Sequence, residues 1–177
     1  MAGRTPIFGD AGLSAKLLFT DASCFRVAQV SAWAAMLITR ERSWLHSDLI
    51  LDDVDHDSMV GEVAAIASAL EHFAALGALQ PGDRVVVHAD NQTAVRHLGG
   101  LVQGRSRNAK LRAGKLRMIR VAAELGLALE FSWVKAHQGP NTDDWRGLIN
   151  ARVDRLARWT AKEHLRSLDA TQNETAE

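Results

Sequence analysis

The 177-residue chain has little or nothing of several features that each mark a particular class of protein. Its one cysteine, Cys24, excludes an internal disulfide and any metal site built from several cysteines, and we expect it to be a small apolar filler. No apolar run approaches the length of a membrane span, and residues 1–12 lack the apolar core of a signal peptide. Neither the GxxxxGK nor the GxGxxG pattern occurs, so loops that cradle nucleotide phosphates have no support.

Net charge is also absent. The formal charge is zero, so any electrostatic partner site must be local. The missing membrane and signal-peptide segments leave the cytoplasm, of a cell or of a virus-infected cell, as the expected location. We also expect a monomer without membrane attachment. The rest of the composition, 47% hydrophobic and 24% charged, is ordinary for a globular protein. We expect a loose lead-in over 1–15, one domain over 16–165 and a polar tail over 166–177 that is frayed from Ser167.

Hydrophobic periodicity predicts the elements of this domain. Strand-like sequence runs from Lys16 to Leu51, with a hairpin turn at 40–42, although the alanines of 27–39 would also suit a helix. The following elements are a helix over 60–76, a strand over 84–90, a short helix from Gln92, a helix over 105–125, a strand over 127–134 and a helix over 145–165. This order predicts an α/β fold, with helices packed on a mixed sheet.

Carboxylates stand at the ends or inner faces of four of these elements. Asp21 and Asp90 each follow a strand-like run. Glu62 lies in the first turn of its predicted helix, and Asp154 shares a helix face with Asn150. Any one of them could be a cap or a solvated side chain. A buried, unpaired carboxylate is unfavourable, so Asp21 either caps a turn or meets a cation.

Convergence of the four acids would have a chemical consequence. Their repulsion would raise their pKa values unless divalent cations neutralised them. Oxygen ligands suit Mg²⁺ or Mn²⁺ rather than zinc. Two such ions can activate a water and stabilise the leaving oxygen when a phosphodiester is hydrolysed.

Five short motifs follow one another along the chain. They are TDAS (20–23), GEVAAIASALE (61–71), ADNQTAV (89–95), WVKAHQG (133–139) and NARVDRLAR (150–158). In this order they resemble the ribonuclease H family, type 1-like, over about residues 16–165. The resemblance implies a ribonuclease H-like, five-stranded mixed sheet whose first three strands are antiparallel. It also implies an endonuclease that hydrolyses the RNA strand of RNA–DNA hybrids with two Mg²⁺ or Mn²⁺ ions.

The resemblance assigns roles to individual residues. The implied metal ligands are Asp21, Glu62, Asp90 and Asp154. His137, in a loop with Pro140, matches a histidine that assists proton transfer or product release.

The resemblance extends to the nucleic acid, with some departures. Gln92 matches a contact to the RNA strand, and Ser23 and Asn91 are further candidate nucleic-acid contacts. Residues 59–61 replace the family's pair of substrate-touching asparagines, and the loop between His137 and Asp154 is longer than usual.

A basic segment stands out in this neutral chain. Residues 105–120 carry seven Lys or Arg and no acid. They suit either a solvated helix face or a ridge that holds phosphates without reading sequence. Our candidate contacts there are Lys110, Arg112 and Lys115. Two other functions remain open: a DNA nuclease or resolvase of the same fold, and a non-catalytic module that binds hybrids.

Overall fold

The computed structural model describes residues 15–51, 57–100, 108–136 and 143–174. The strands are β1 Ala15–Phe25, β2 Val30–Ile38, β3 Ser43–Leu49, β4 Arg84–Ala89 and β5 Ala128–Trp133. The helices are α1 Ser58–Ala75, α2 Gln92–Leu98, α3 Ala109–Leu125 and α4 Trp145–Glu174. The predicted element order is therefore confirmed. None of these helices combines the length and the apolar composition that crossing a bilayer requires.

The strands form one mixed sheet in the order β3-β2-β1-β4-β5. β1, β2 and β3 are antiparallel neighbours, whereas β4 runs parallel to both β1 and β5. The predicted hairpin turn is present, since the amide of Thr39 donates to the carbonyl of Arg42 at 2.9 Å. This topology confirms the five-stranded mixed sheet that the sequence led us to expect.

Helices cover both faces of the sheet. On one face α1 buries Ile66, Leu70 and Phe73 in a cluster that includes Leu18 of β1. On the other, Val153 and Ala157 of α4 pack with Phe19 of β1. Leu18 and Phe19 are adjacent and enter opposite clusters, as the alternation of a strand requires. Helical layers on both sides explain why the central strands are almost wholly buried.

Polar caps set where three helices begin. The side chains of Asp57, Asn91 and Asn108 accept hydrogen bonds from the first-turn amides of α1, α2 and α3. The helix expected over 105–125 is therefore observed from Ala109, after its Asn108 cap. α3 ends at Gly126, whose φ of 60° is the left-handed conformation that glycine adopts most readily.

The last helix is longer than predicted. α4 was expected to end near residue 165 but continues to Glu174. The expectation of a frayed chain from Ser167 is therefore wrong for Ser167 to Glu174. Leu165 still packs against the small cluster around Ala161, and beyond it the helix is exposed through Thr171. Local helical hydrogen bonding therefore extends the element without core contacts. The domain boundaries themselves stay predictions.

Candidate metal centre and active site

Three of the predicted acids meet in space. Asp21, Glu62 and Asp90 each offer a carboxylate oxygen, and these oxygens all lie within 4.8 Å of one another. The residues come from β1, from α1 and from the position directly after β4. Asp21 and Glu62 are each only 4% exposed, while Asp90 is half-buried. The cluster therefore brings together three carboxylates that are far apart in the sequence, in a largely buried pocket.

The position of Asp21 follows from the pairing of β1. The strand does not stop at Asp21, as its sequence suggested, but continues to Phe25 with Asp21 opposite Ala34 of β2. Pairing with β4 ends earlier, at Phe19 opposite His88. At Asp21, β1 is therefore no longer paired with its parallel neighbour β4. Asp90 lies just beyond the end of β4. Ligand sites of open α/β sheets form at such carboxyl ends of strands.

Close packing of α1 brings Glu62 to this position. A Cβ at Gly61 would lie 2.7 Å from Sγ of Cys24 and 3.3 Å from Cβ of Ala22, so glycine allows the helix to approach β1. Glu62 is the fifth residue of α1 rather than part of its first turn, because the helix begins at Ser58. Its Oε1 accepts a hydrogen bond from the amide of Ala22 at 3.4 Å. Its Oε2 is buried without a hydrogen-bond partner among the described residues.

Burial and mutual repulsion dominate the electrostatics. Burial, reinforced by the charge of Asp90, raises the pKa of Asp21 to about 8. Burial and the neighbouring Asp21 raise the pKa of Glu62 well above its ordinary value. Both carboxyls are thus held in surroundings that disfavour their charged forms, and a nearby cation would reverse that preference.

Asp154 lies beside the cluster rather than inside it. Its proximity contributes to the raised pKa of Asp21. It is not among the three residues whose oxygens lie within 4.8 Å of one another. Both its oxygens accept hydrogen bonds from Arg158, at 2.6 and 2.7 Å. The structure therefore places the fourth predicted acid at the edge of the site, paired with an arginine one turn further along α4.

Two residues that the sequence did not identify as site residues hold Asp90. The Asn150 side-chain amide donates to Oδ2 of Asp90 at 3.3 Å, and the Trp133 indole donates to its main-chain carbonyl at 2.9 Å. Asn150 is only 2% exposed. Asn150 lies four residues before Asp154, on the same helix face, and this spacing is the sequence feature that could have identified it as a site residue. Trp133 is the first residue of the WVKAHQG motif, but its place beside Asp90 depends on the register of β5, in which it pairs with Ala89 of β4.

Comparison with known proteins decides the family. A family model described as RNase H matches residues 14–162, which is well over half of the chain. The chain belongs to the RNase H family. The prediction of a ribonuclease H is therefore confirmed.

Solved structures of other RNase H proteins share this fold. RNase H1 from the halophilic archaeon Halobacterium salinarum NRC-1 aligns with a TM-score of 0.64 at 17% identity, over 84% of this chain and 98% of its own. LC11-RNase H1, solved in complex with an RNA/DNA hybrid, gives 0.66 at 17%, over 85% and 99%. The N-terminal RNase H domain of rv2228c from Mycobacterium tuberculosis gives 0.62 at 14%, over 89% and 99%. No curated protein matches the sequence.

The predicted nucleic-acid contacts of this RNase H lie on elements that flank the acids. Ser23 is half-buried in β1, two residues after Asp21. Asn91 directly follows Asp90, and its side-chain oxygen caps α2 by accepting from the amide of Ala94 at 3.0 Å. Gln92 is exposed at the first position of α2. His137 lies outside the described residues, and its role stays a prediction.

The basic segment of this RNase H divides into two sets of cations. Arg117 binds Glu71 and Ser68 of α1, and Arg120 binds Glu71 at 3.0 Å. These two arginines tie α3 to α1 and lower the pKa of Glu71. Of the candidate contacts, Arg112 is exposed, whereas Lys110 and Lys115 are half-buried on α3. The phosphate-binding role of those three stays a prediction.

The acidic cluster fits divalent metal ions. It offers oxygen donors alone, including the unpartnered Oε2 of Glu62. Hard oxygen donors of this kind suit Mg²⁺ or Mn²⁺. A cavity of about 320 Å³ lies elsewhere, among Lys16, Trp44 and Gln80, and includes none of the acids. The acids, not that cavity, are the candidate site.

Proposed function

We propose that this RNase H hydrolyses the RNA strand of RNA–DNA hybrids, with Asp21, Glu62, Asp90 and Asp154 holding two Mg²⁺ or Mn²⁺ ions. The observation that carries the proposal is the meeting of three carboxylates within 4.8 Å in a chain of this family. The complex of LC11-RNase H1 with an RNA/DNA hybrid supports the choice of substrate. Such ions, when bound, activate a water and stabilise the leaving oxygen.

The protein's own groups have distinct tasks. Asp21 and Glu62 would hold the ions in their charged forms, which a bound cation favours over the protonated forms that burial favours. Asn150 and Trp133 fix the two ends of Asp90, its carboxylate and its main-chain carbonyl. Asp154 would complete the site if its carboxylate turned from Arg158. His137 moves a proton during the reaction, and 2′-hydroxyl contacts select the RNA strand. The protein acts as a cytoplasmic monomer.

Strand-specific cleavage tests this proposal. Hybrids labelled on either strand are incubated with the protein in Mg²⁺, in Mn²⁺ and in EDTA, beside double-stranded DNA and double-stranded RNA. We expect cleavage of the RNA strand of the hybrid alone, only with metal. Cleavage of double-stranded DNA instead would indicate a nuclease or resolvase, and metal-independent binding without cleavage of any substrate would indicate a binding module.

The first variant to test is Asp90→Asn. It keeps the shape of the side chain and its contact with Asn150 but removes a negative ligand. Loss of an outer-shell partner costs roughly 10–100-fold in activity, so loss of a ligand should cost at least about 100-fold. Asp169→Asn, at an exposed position of α4, is the matched control and should cleave like the wild type. Full activity in a folded Asp90→Asn protein would refute the metal site.

A further inference from the structure

The solvent-facing side of α4 carries an unusual combination of side chains. Residues three or four apart fall on one face of a helix. On the face turned away from the sheet, this spacing aligns Leu148, Arg152, Arg155, Trp159, Lys162 and Arg166, which we call the α4 stripe. Trp159 is 57% exposed and Leu148 is 43% exposed. The stripe contains four cations and no acid, although the whole chain has zero net charge.

Neither the core nor the acidic site uses these side chains. The buried side of α4 consists of Val153, Ala157 and Ala161, on the opposite face. Arg166 is bound by Glu163, but Arg152, Arg155 and Lys162 make no ion pair with the part of the chain that the structure describes. Cations held close together without acids repel one another, so a polyanion bound along the stripe would relieve that repulsion.

An exposed tryptophan between cations favours one kind of polyanion. Proteins that bind single-stranded nucleic acid combine a positive track for the backbone with aromatic rings on which bases stack. Trp159 has two of the cations on each side along the helix. A paired base cannot stack on a side chain in this way, whereas an unpaired base can. Its aromatic ring therefore favours a single strand over a duplex.

Size and position agree with a strand that leaves the acidic site. Arg152 and Lys162 are the outermost of the three cations that make no ion pair among the described residues, and they are ten positions apart, about 15 Å along the helix at 1.5 Å per residue. That distance matches about four phosphates at about 3.4 Å per nucleotide of one strand. Each residue turns by about 100° around a helix, so the stripe lies on a different side of α4 from Asp154, and a strand that leaves the site reaches the stripe by passing around that helix.

We propose that the α4 stripe binds single-stranded nucleic acid that extends from the hybrid, with Trp159 stacking on a base and Arg152, Arg155 and Lys162 neutralising phosphates. This proposal rests on the proposed function for the hybrid but concerns a separate surface. A second copy of the chain fits less well, since a two-fold contact would bring the cations of two stripes together. A membrane surface also fits less well, because only two large apolar side chains are present.

Binding by the full chain in EDTA tests the stripe without cleavage. Fluorescence anisotropy compares three labelled probes: a single strand, a blunt hybrid, and the same hybrid with a single-stranded extension. The single strand has about twelve nucleotides, roughly three times the estimated span of the three cations. We expect the extension to tighten binding, and Trp159→Ala to weaken binding to the extended hybrid by about 5-fold or more. Trp159→Phe should restore most of the affinity, because it keeps an aromatic face.

Salt dependence separates charge contacts from general damage. Replacing Arg152, Arg155 and Lys162 together by glutamine should make the negative slope of log affinity against log salt less steep by about 2, at about 0.7 per phosphate contact of a single strand. Arg40→Gln removes one exposed cation in the β2–β3 turn, is the control for loss of surface charge away from the stripe, and should leave the slope unchanged.

Several outcomes would overturn the stripe proposal. They are an extension that adds no affinity, a Trp159→Ala protein that binds like the wild type, and stripe-dependent binding to vesicles of phosphatidylglycerol but not to the strand. Cleavage of the blunt hybrid by the wild type tests the proposed function separately. A protein that cleaves blunt hybrid but ignores the extension refutes the stripe alone. A protein that binds the extension through Trp159 but cleaves nothing refutes the activity alone.

Discussion

At the scale of single residues, Asp90 depends on a hydrogen bond from an exposed tryptophan. The Trp133 indole, 45% exposed, donates to the Asp90 carbonyl at 2.9 Å and so restrains the chain just after β4. Trp133→Phe keeps the ring but removes the donor. A hydrogen bond contributes about 0.5–1.5 kcal/mol, so we expect the Mg²⁺ concentration for half-maximal cleavage to rise by about 2- to 10-fold. A titration of activity against Mg²⁺ measures this change.

Trp44→Phe is the control for this substitution. Trp44 lies at the start of β3, where the guanidinium of Arg42 sits 4.3 Å from the centre of its ring, and it contacts none of the acids. Its replacement should leave the Mg²⁺ dependence unchanged. If Trp133→Phe altered the KM for hybrid but not the Mg²⁺ dependence, the indole would act on substrate rather than on Asp90.

The residue scale also shows what the sequence could and could not indicate. Asp21, Glu62, Asp90 and Asp154 stood out at strand ends and helix faces, the family resemblance implied that they share a metal site, and the structure brings the first three together. Trp133 was missed because its role depends on the register of β5 against β4, which the sequence does not specify. The pairing of Asp154 with Arg158 follows from ordinary helical spacing, but the choice between arginine and metal depends on three-dimensional proximity.

At the scale of elements, the site depends on how closely α1 approaches β1. The Gly61→Ala variant gains helix propensity of about 1 kcal/mol, but its Cβ would meet Cys24 and Ala22. Overpacking costs about 1–3 kcal/mol, and the Cβ of Ala22 cannot rotate away. We expect a net loss of about 1 kcal/mol in the free energy of unfolding, measured by urea denaturation. Cleavage should also fall, since the helix carries Glu62.

The Cys24→Ala background isolates the cause. The Sγ of Cys24 is the nearer of the two contacts, at 2.7 Å. Removing this sulfur should reduce the loss of stability that Gly61→Ala causes. The two substitutions together would then cost less than the sum of their separate effects, and the difference is their coupling free energy. Strictly additive effects would show that the close approach at Cys24 does not determine the position of α1.

Element boundaries were harder to predict than element types. The alanines of β2 left a helix possible for 27–39, and long-range pairing with β1 and β3 decided for a strand. β1 continues beyond Asp21 because β2 still pairs with it after β4 has diverged. α4 exceeds its amphipathic pattern by nine residues, since helical hydrogen bonds continue after core contacts have ended. Each difference between a predicted and an observed element therefore arises from strand pairing or from continued helical hydrogen bonding, and not from local hydrophobicity.

At the scale of the whole molecule, the acidic cluster makes metal-free stability depend on pH. The pKa of Asp21 is about 8 in the folded protein, against an ordinary value of 3.8. The folded state therefore holds this proton more tightly than the unfolded state does. The contribution of Asp21 to stability is complete below pH 4 and is lost progressively as the pH rises to about 8. The raised pKa of Glu62 acts in the same direction.

Other groups titrate across the same pH range, so the prediction concerns the difference in the free energy of unfolding between the wild type and Asp21→Asn. Burial lowers the pKa of His88 to about 4, which destabilises the fold as the pH falls from about 6.5 to 4. Asp21→Asn leaves His88 in place and removes only the carboxylate. In EDTA, we expect the free energy of unfolding of the wild type minus that of Asp21→Asn to fall by a few kcal/mol between pH 5 and 8. Urea denaturation at several pH values measures it.

Mg²⁺ should reverse this difference. An ion that binds only the folded state stabilises it by mass action, and the ion needs the charged form of Asp21. At pH 8, saturating Mg²⁺ should therefore raise the unfolding midpoint of the wild type but raise that of Asp21→Asn much less. A difference that stayed constant with pH in EDTA, and did not respond to Mg²⁺, would mean that Asp21 ionises freely in the folded protein. The acids would then lie together without forming a metal site, because the repulsion that a cation must offset would be missing.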